Sequence, residues 1–406
     1  MPPIAIRVTP GCATHRACEM IAMTDNGSRI MKTFHCDRCQ QLVFFENVRC
    51  ERCAALLGYV PQSGEISAFE DAGNGLWRRL GASQPGAPNT PGESAETSDG
   101  ALFRPCHNYA VDNVCNWMIP ADSPDTLCRS CRFTRTIPNL ERPDNRLYWY
   151  RLENAKRRLL YTLMALNLPV RSRAEDPKRG LAFEFLEDTA EDKKVMTGHN
   201  RGVITVNIAE ADDAHREQTR SALGEPYRTL LGHFRHETGH YFFDRLVTGR
   251  RGLAQFRKLF GDERADYGAA LAAYYRDGPR ADWAQSYISA YATMHPWEDW
   301  AETWAHYLHI VDTLDTATAC GLALIPERPH EPTLTDRTPV DEASFDDLMA
   351  RWFPLTYVLN SLNRSLGMPD GYPFTLLPPV IDKLRFVHRV VAAGAASTVA
   401  SVASRP

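Results

Sequence analysis

Apolar residues recur at helical spacing from Leu147 to Leu166, after an Asp144 placed to cap the helix and before the stop at Leu168-Pro169. Two strand-like runs follow, Leu181 to Leu186 and Gly202 to Ile208, each with partial period-two alternation. Asp212 to Arg220 is charged and helical in character, and Gly224 to Pro226 breaks it. A helix is then expected from about Tyr227 to Val247, with others over Asp262 to Tyr275, Trp283 to Ala292, from Pro296, over 343 to 366 and over 378 to 392. The N-terminal third reads differently. Residues 1 to 30 show no periodicity, and 82 to 100 are rich in Pro, Gly, Ser and Thr with little to bury. The pattern therefore predicts an α+β protein. A disordered leader (1–30) precedes a cysteine module (31–62), a linker or insertion (63–104) and a second cysteine module (105–140). A mostly helical domain with a small sheet (141–390) and a disordered Ala/Ser-rich tail (391–406) complete the chain.

Composition narrows the class without naming a reaction. The 406 residues are 44% hydrophobic and 24% charged, enough for a buried core, and the net charge of -4 gives no footprint for nucleic acid or an anionic membrane. No apolar run reaches membrane-spanning length and no secretory signal pattern opens the chain, so a cytoplasmic protein is expected.

Eight of the eleven cysteines change the picture. Cys36, Cys39, Cys50 and Cys53 are spaced Cys-x2-Cys-x10-Cys-x2-Cys, around an apolar stretch, Leu42 to Phe45, suited to a short strand. Four thiolates on two knuckles close a structural zinc site, which reads as a zinc ribbon. Cys106, Cys115, Cys128 and Cys131 form a looser set that predicts a second structural zinc, with His107 as a substitute ligand. Cys12, His15 and Cys18 lack a fourth ligand and stay unassigned.

The chemistry concentrates in Leu231 to Asp244, where His236, Glu237 and His240 form H-E-x-x-H. Histidines at i and i+4 leave one helical face and can share a zinc ion, with the glutamate beside the open position. A third protein ligand is needed. His233 lies too far from His240 to share the ion, about 10 Å along the axis at ~1.5 Å per residue. Glu298 and Glu302 share a helical face in H-P-W-E-D-W-A-E-T-W-A-H, and Asp266 and Asp244 are weaker rivals.

The segment containing Glu298 and Glu302 resembles the second helix of zinc peptidases with an E-x-x-A-E form. That likeness implies Glu298 as the third ligand and Glu302 behind a histidine, the reversed roles remaining open. Tyr291 stands where some of those peptidases carry a catalytic tyrosine, and equally suits a packed aromatic. More widely, F-F-E-N, C-N-W, C-R-S-C, A-K-R-R-L, I-T-V-N-I-A-E-A-D-D, G-H-F-R-H-E-T-G-H-Y and H-P-W-E-D-W-A-E-T-W-A-H-Y-L-H-I resemble a bacterial family of zinc-binding metallopeptidases with an N-terminal zinc ribbon. The resemblance spans most of Phe34 to Val390. It implies a zincin-like domain of gluzincin type, one catalytic and two structural Zn²⁺, and peptide hydrolysis with Glu237 as general base.

A peptide or protein is then the expected substrate, with a further protein partner docking on the ribbon, and neither membrane nor nucleic acid is expected. The strand Val203 to Ile208 is a candidate edge for pairing with an extended substrate. The competing reading is a zinc-ribbon interaction protein whose zincin-like domain has little turnover.

Overall fold

The computed structural model describes residues 33–81, 100–189 and 194–403. The expected leader, the Pro/Gly-rich run up to residue 99, and Cys12, His15 and Cys18 lie outside them.

The N-terminal half is built on two matching cysteine knuckles. Strands β1 (Phe34–His35) and β2 (Leu42–Val43) pair around the first. In each knuckle the residue after the second cysteine, Gln40 or Ala54, takes a left-handed φ near +60° and donates its N–H to the first cysteine's carbonyl. A five-stranded antiparallel sheet follows in the order β3-β4-β5-β6-β7: β3 (Leu56–Val60), β4 (Glu65–Gly73), β5 (Leu76–Arg79), β6 (Leu102–Pro105) and β7 (Met118–Pro120). The helical turn α1 (His107–Ala110) lies between the last two.

These strands correct the expectation that 63–104 is a linker. Ile66, Ser67, Ala68 and Phe69 are all buried, so β4 lacks the alternation of a half-exposed strand, and two small residues mute its apolar signal. Asn74 and Gly75, both at positive φ, close the β4–β5 hairpin; this pair is a strong local turn signal that the composition of the region obscured.

The second half begins with β8 (Thr134–Thr136) and the long helix α2 (Asn145–Ala165). Strands β9 (Ala182–Leu186), β10 (Gly198–Asn200) and β11 (Val203–Asn207) complete a four-stranded sheet ordered β10-β11-β9-β8. β9 runs parallel to both β8 and β11, while β10 is antiparallel to β11. The candidate edge strand Val203 to Ile208 is thus interior, and β10 is the edge beside it. Gly198-His199-Asn200 has no apolar alternation, so periodicity cannot reveal it.

Six helices follow: α3 (Asp213–Leu223), α4 (Leu230–Phe242, continued by a π-turn over Phe243–Val247), α5 (Arg250–Leu259), α6 (Tyr267–Asp277), α7 (Pro296–Ala319) and α8 (Phe345–Ser365), before the last helix α9 (Pro378–Ala403). Trp283 to Ala292, expected as a helix, contains only short 3-10 turns. Residues 391–403 of the expected disordered tail form the end of α9, a correction with two causes. Alanine is the strongest helix former, and Gly394 lets the helix approach Leu246 and Leu168, whose side chains would lie 3.2 and 3.4 Å from an added Cβ.

α4 buries Phe234 against Phe183 and Phe185 of β9, with ring centroids 5.4 and 6.2 Å apart. On another side it crosses α7 at Gly239 and Ala301. The ribbon half joins this core through Tyr161 of α2, whose ring packs edge-on against Phe34, Phe45 and Tyr59.

Candidate metal centre

Each of the two site helices starts from a defined cap. The Thr229 hydroxyl accepts the Gly232 N–H at 3.0 Å to open α4. His295 accepts the Trp297 N–H through Nδ1 at 3.1 Å, with Pro296 in the first turn of α7. Gly239 allows backbone-distance approach to Ala301, and Trp300 Nε1 ties the crossing by donating to the Gly239 carbonyl at 2.7 Å. This crossing points one turn of α7 at the histidine face of α4.

Glu298, only 2% exposed, faces both histidines. Its Oε2 lies 2.9 Å from His236 Nε2 and its Oε1 3.4 Å from His240 Nε2. One ligand atom from each of His236, His240 and Glu298 falls within 4.8 Å of the others. A tetrahedral zinc with bonds of ~2.0 Å needs donor separations of about 3.3 Å, so this donor set fits the ion. Glu302 occupies another place: its Oε1 is 2.6 Å from His236 Nδ1, the far nitrogen, and its Oε2 accepts from the Ser289 hydroxyl at 2.6 Å. A carboxylate there fixes the ring so that Nε2 faces the centre.

Burial opposes the charge on His236, but hydrogen bonds to Glu298 and Glu302 outweigh it and push its pKa well above the ordinary value. Glu298 is the complement: burial is overcome by the two histidines, and its carboxyl is held well below the usual range. Glu237 is buried and its Oε2 has no protein partner; burial raises its pKa despite the neighbouring histidines. A carboxyl that is partly desolvated beside three donor groups is suited to accept and return a proton.

The remaining candidates separate by position. His233 lies by Glu210, with Nδ1 3.5 Å from Oε2, away from the three-donor cluster. Asp266 caps α6 by accepting the Ala269 N–H at 2.9 Å, and Asp244 lines a cavity one turn past His240. The Tyr291 ring stands 6.1 Å from that of His236.

Tyr267 escaped sequence reasoning, yet its hydroxyl donates to Glu298 Oε1 at 3.0 Å and lies close enough to Glu237 to feel its charge. Nothing in the spacing of α6 relates it to α7, so no local signal could find it. Trp297 packs against His240 at 3.8 Å between centroids with the rings tilted by 38°, and His199 lies 6.2 Å from the same ring. Burial drives the His199 pKa down to about 3, so this imidazole is neutral.

The eight cysteines form two quartets of free thiols. Sulfur separations are 3.6 Å for Cys36–Cys53 and Cys39–Cys50, and 3.7 Å for Cys115–Cys128. Those distances exclude disulfides and approach the ~3.8 Å edge of a zinc tetrahedron with 2.3 Å bonds. Cys106, Cys115, Cys128 and Cys131 are all buried, and Arg157 from α2 adds a buried guanidinium beside them while donating to the Val114 carbonyl at 2.6 Å. His107 is exposed and stands outside the second quartet.

Among the described residues no helix is long and apolar enough to cross a membrane. Residues 145–390 match the family described as "Putative zinc-binding metallo-peptidase", and residues 33–142 match a zinc-ribbon domain. Uncharacterized proteins of Mycobacterium tuberculosis and Mycobacterium bovis are 43% identical over 362 residues, covering 89% of this chain and 95% of theirs. No solved structure matches the chain. With the family match covering more than half of its length and the ribbon match in front of it, the chain belongs to the zinc-binding metallopeptidase family that carries an N-terminal zinc ribbon.

Proposed function

We propose that the protein is a zinc-dependent peptidase of the gluzincin type, in a zincin-like domain, with His236, His240 and Glu298 as metal ligands. The observation that carries this reading is the placement of Glu298 between both histidines while Glu302 takes the far nitrogen of one. Zinc, when bound there, supplies Lewis acidity to a substrate carbonyl and to water. Glu237 takes a proton from that water and delivers it to the leaving amine, a role helped by the raised pKa of its buried carboxyl. Tyr267 turns its neutral hydroxyl, which donates to Glu298 when no substrate is bound, to the charge that develops on the carbonyl oxygen. The two cysteine quartets hold structural zinc and brace α2.

The test is digestion of a peptide library by the wild type and by Glu237→Gln, with metal analysis of both. Roughly three zincs per chain are expected in each protein, with cleavage by the wild type alone. Cleavage that survives the substitution would remove Glu237 from the mechanism. The alternative, an interaction protein with little turnover, has one observation of its own: Leu42 and Phe44 stand 53% and 73% exposed on the ribbon. Zinc-loaded wild type that cleaves nothing would favour it.

A further inference from the structure

A cavity of about 460 Å³ opens where the β10–β11 turn meets the C-terminal end of α4. Lys178, Arg179, Arg201, Arg245, Tyr241 and Asp244 line it. Arg245 lies over the Tyr241 ring, 4.8 Å from its centroid, and is paired with Asp176 at 3.0 Å. Among the described residues no carboxylate lies within ion-pair distance of Lys178, Arg179 or Arg201. Asp244 and Asp176 therefore leave an excess of two positive charges around the cavity.

Arg245, which lines the cavity, has a buried Nε that meets no protein acceptor, and Arg173 Nε and His199 Nδ1, on residues behind the lining, are likewise buried and unpaired. The His199 proton is placed by geometry: the Gly202 N–H donates to Nε2 at 2.8 Å, so a neutral ring carries its hydrogen on Nδ1. Arg173 donates to the Arg201 carbonyl, which anchors it to the same turn. Each unpaired donor costs free energy that a hydrogen-bond acceptor would recover, and guanidinium groups pair well with carboxylates.

The cavity lies beyond the metal centre along α4, and none of the three metal-donor residues lines it. Tyr241, Asp244 and Thr248 extend the α4 stripe that begins at Glu237, and the His199 ring bridges the two regions, 6.2 Å from His240 and 6.5 Å from Tyr241. Asp244 lies about 6 Å beyond His240 along the helix and about 10 Å beyond Glu237. An extended peptide covers that span in two or three residues at ~3.3 Å each.

We propose that this cavity is a carboxylate-binding site adjoining the metal centre. If the protein is a peptidase, as proposed above, the site receives a substrate carboxylate two or three residues from the scissile bond. The carboxylate comes from an acidic side chain or from the peptide's C-terminus.

The test uses the full-length, zinc-loaded Glu237→Gln protein, so that no peptide is consumed. Four fluorescein-labelled octapeptides share one sequence but carry Glu or Gln at the third position from the end, with a free or an amidated C-terminus. Fluorescence anisotropy should show at least one carboxylate form binding about tenfold tighter than the neutral peptide. The stronger arm identifies the source. Adding Arg179→Gln and Arg201→Gln should make all four bind alike.

Equal affinity for all four peptides before those changes would overturn the site while leaving peptide binding intact. Glutarate provides a second arm, read as a rise in the thermal unfolding midpoint. A rise that requires Arg179 and Arg201, with no peptide bound, would support the carboxylate site and count against the peptidase reading. No peptide binding and no glutarate effect would overturn the site.

Discussion

Adding a single methyl group at Gly239 tests whether the α4–α7 crossing sets the metal centre. A Cβ there would lie 2.9 Å from Ala301 Cα, 3.3 Å from Ala301 Cβ and 3.2 Å from Trp304 Cδ1. Carbon atoms pack at about 3.5–4.0 Å, so the helices must part by several tenths of an ångström or more. Neither neighbour yields easily. Ala301 Cα is backbone, and Trp304 is fully buried and stacked on Phe242 at 4.8 Å. In a free helix Gly→Ala gains about 1 kcal/mol, whereas overpacking a core costs about 1–3 kcal/mol. The steric effect should win, leaving Gly239→Ala destabilised by up to about 2 kcal/mol. For a domain of this size the unfolding midpoint should fall by up to about 8 °C. The displacement also separates His236 and His240 on α4 from Glu298 and Glu302 on α7. Chelator competition should therefore show at least about tenfold weaker binding of one zinc, with the cysteine-bound zinc unchanged. An unchanged or raised midpoint with wild-type zinc affinity would refute the argument, because propensity would then have outweighed a clash that did not matter.

Three further outcomes follow from the same geometry. Glu298→Ala should lose one zinc per chain outright, whereas Glu302→Gln should retain it at saturating metal with affinity lowered about 10–100-fold; equal losses in metal analysis would contradict their different placements. Tyr267→Phe should lower peptide cleavage about 10²-fold with little change in zinc content, and an undiminished rate would leave Tyr267 as packing only. His306 is buried, bonds Tyr372 Oη through Nδ1 at 2.9 Å, and is pushed down to about 4 by burial. Its folded pKa lies below the ordinary 6.5, so the unfolded chain binds the extra proton first. Stability should be fully present above pH ~6.5 and fall as the pH drops towards ~4, by about 3 kcal/mol from this residue. Denaturant unfolding of wild type and His306→Gln across that range should show a flatter acid limb in the variant.

What could be read in the sequence depended on how locally each feature is encoded. Histidines at i and i+4 and cysteine pairs on two-residue spacers declare their geometry within one turn of chain, and Pro296 marks the start of α7 in the same way. The metal centre itself is not local: Glu302 meets His236 across 66 residues, and the close packing of Gly239 on Ala301, with the Trp300, Ser289 and Tyr267 hydrogen bonds, sets which oxygen faces which nitrogen. For that reason the sequence alone admits either glutamate as the third ligand. Tyr267 is a stronger case, since α6 buries none of its residues and its tyrosine is recognisable only from the carboxylate it touches. Two sheet elements were hidden by opposite causes. β4 is buried on both faces over Ile66 to Phe69 and so has no period there, and β10 is too polar and short to show one. The end of α9 failed through composition, because small residues that cannot build a core of their own can still form a helix seated on one, as Gly394 does against Leu246. Patterning thus reports what each segment can bury, whereas the chemistry depends on which buried faces meet, and here Gly239 lies at that meeting.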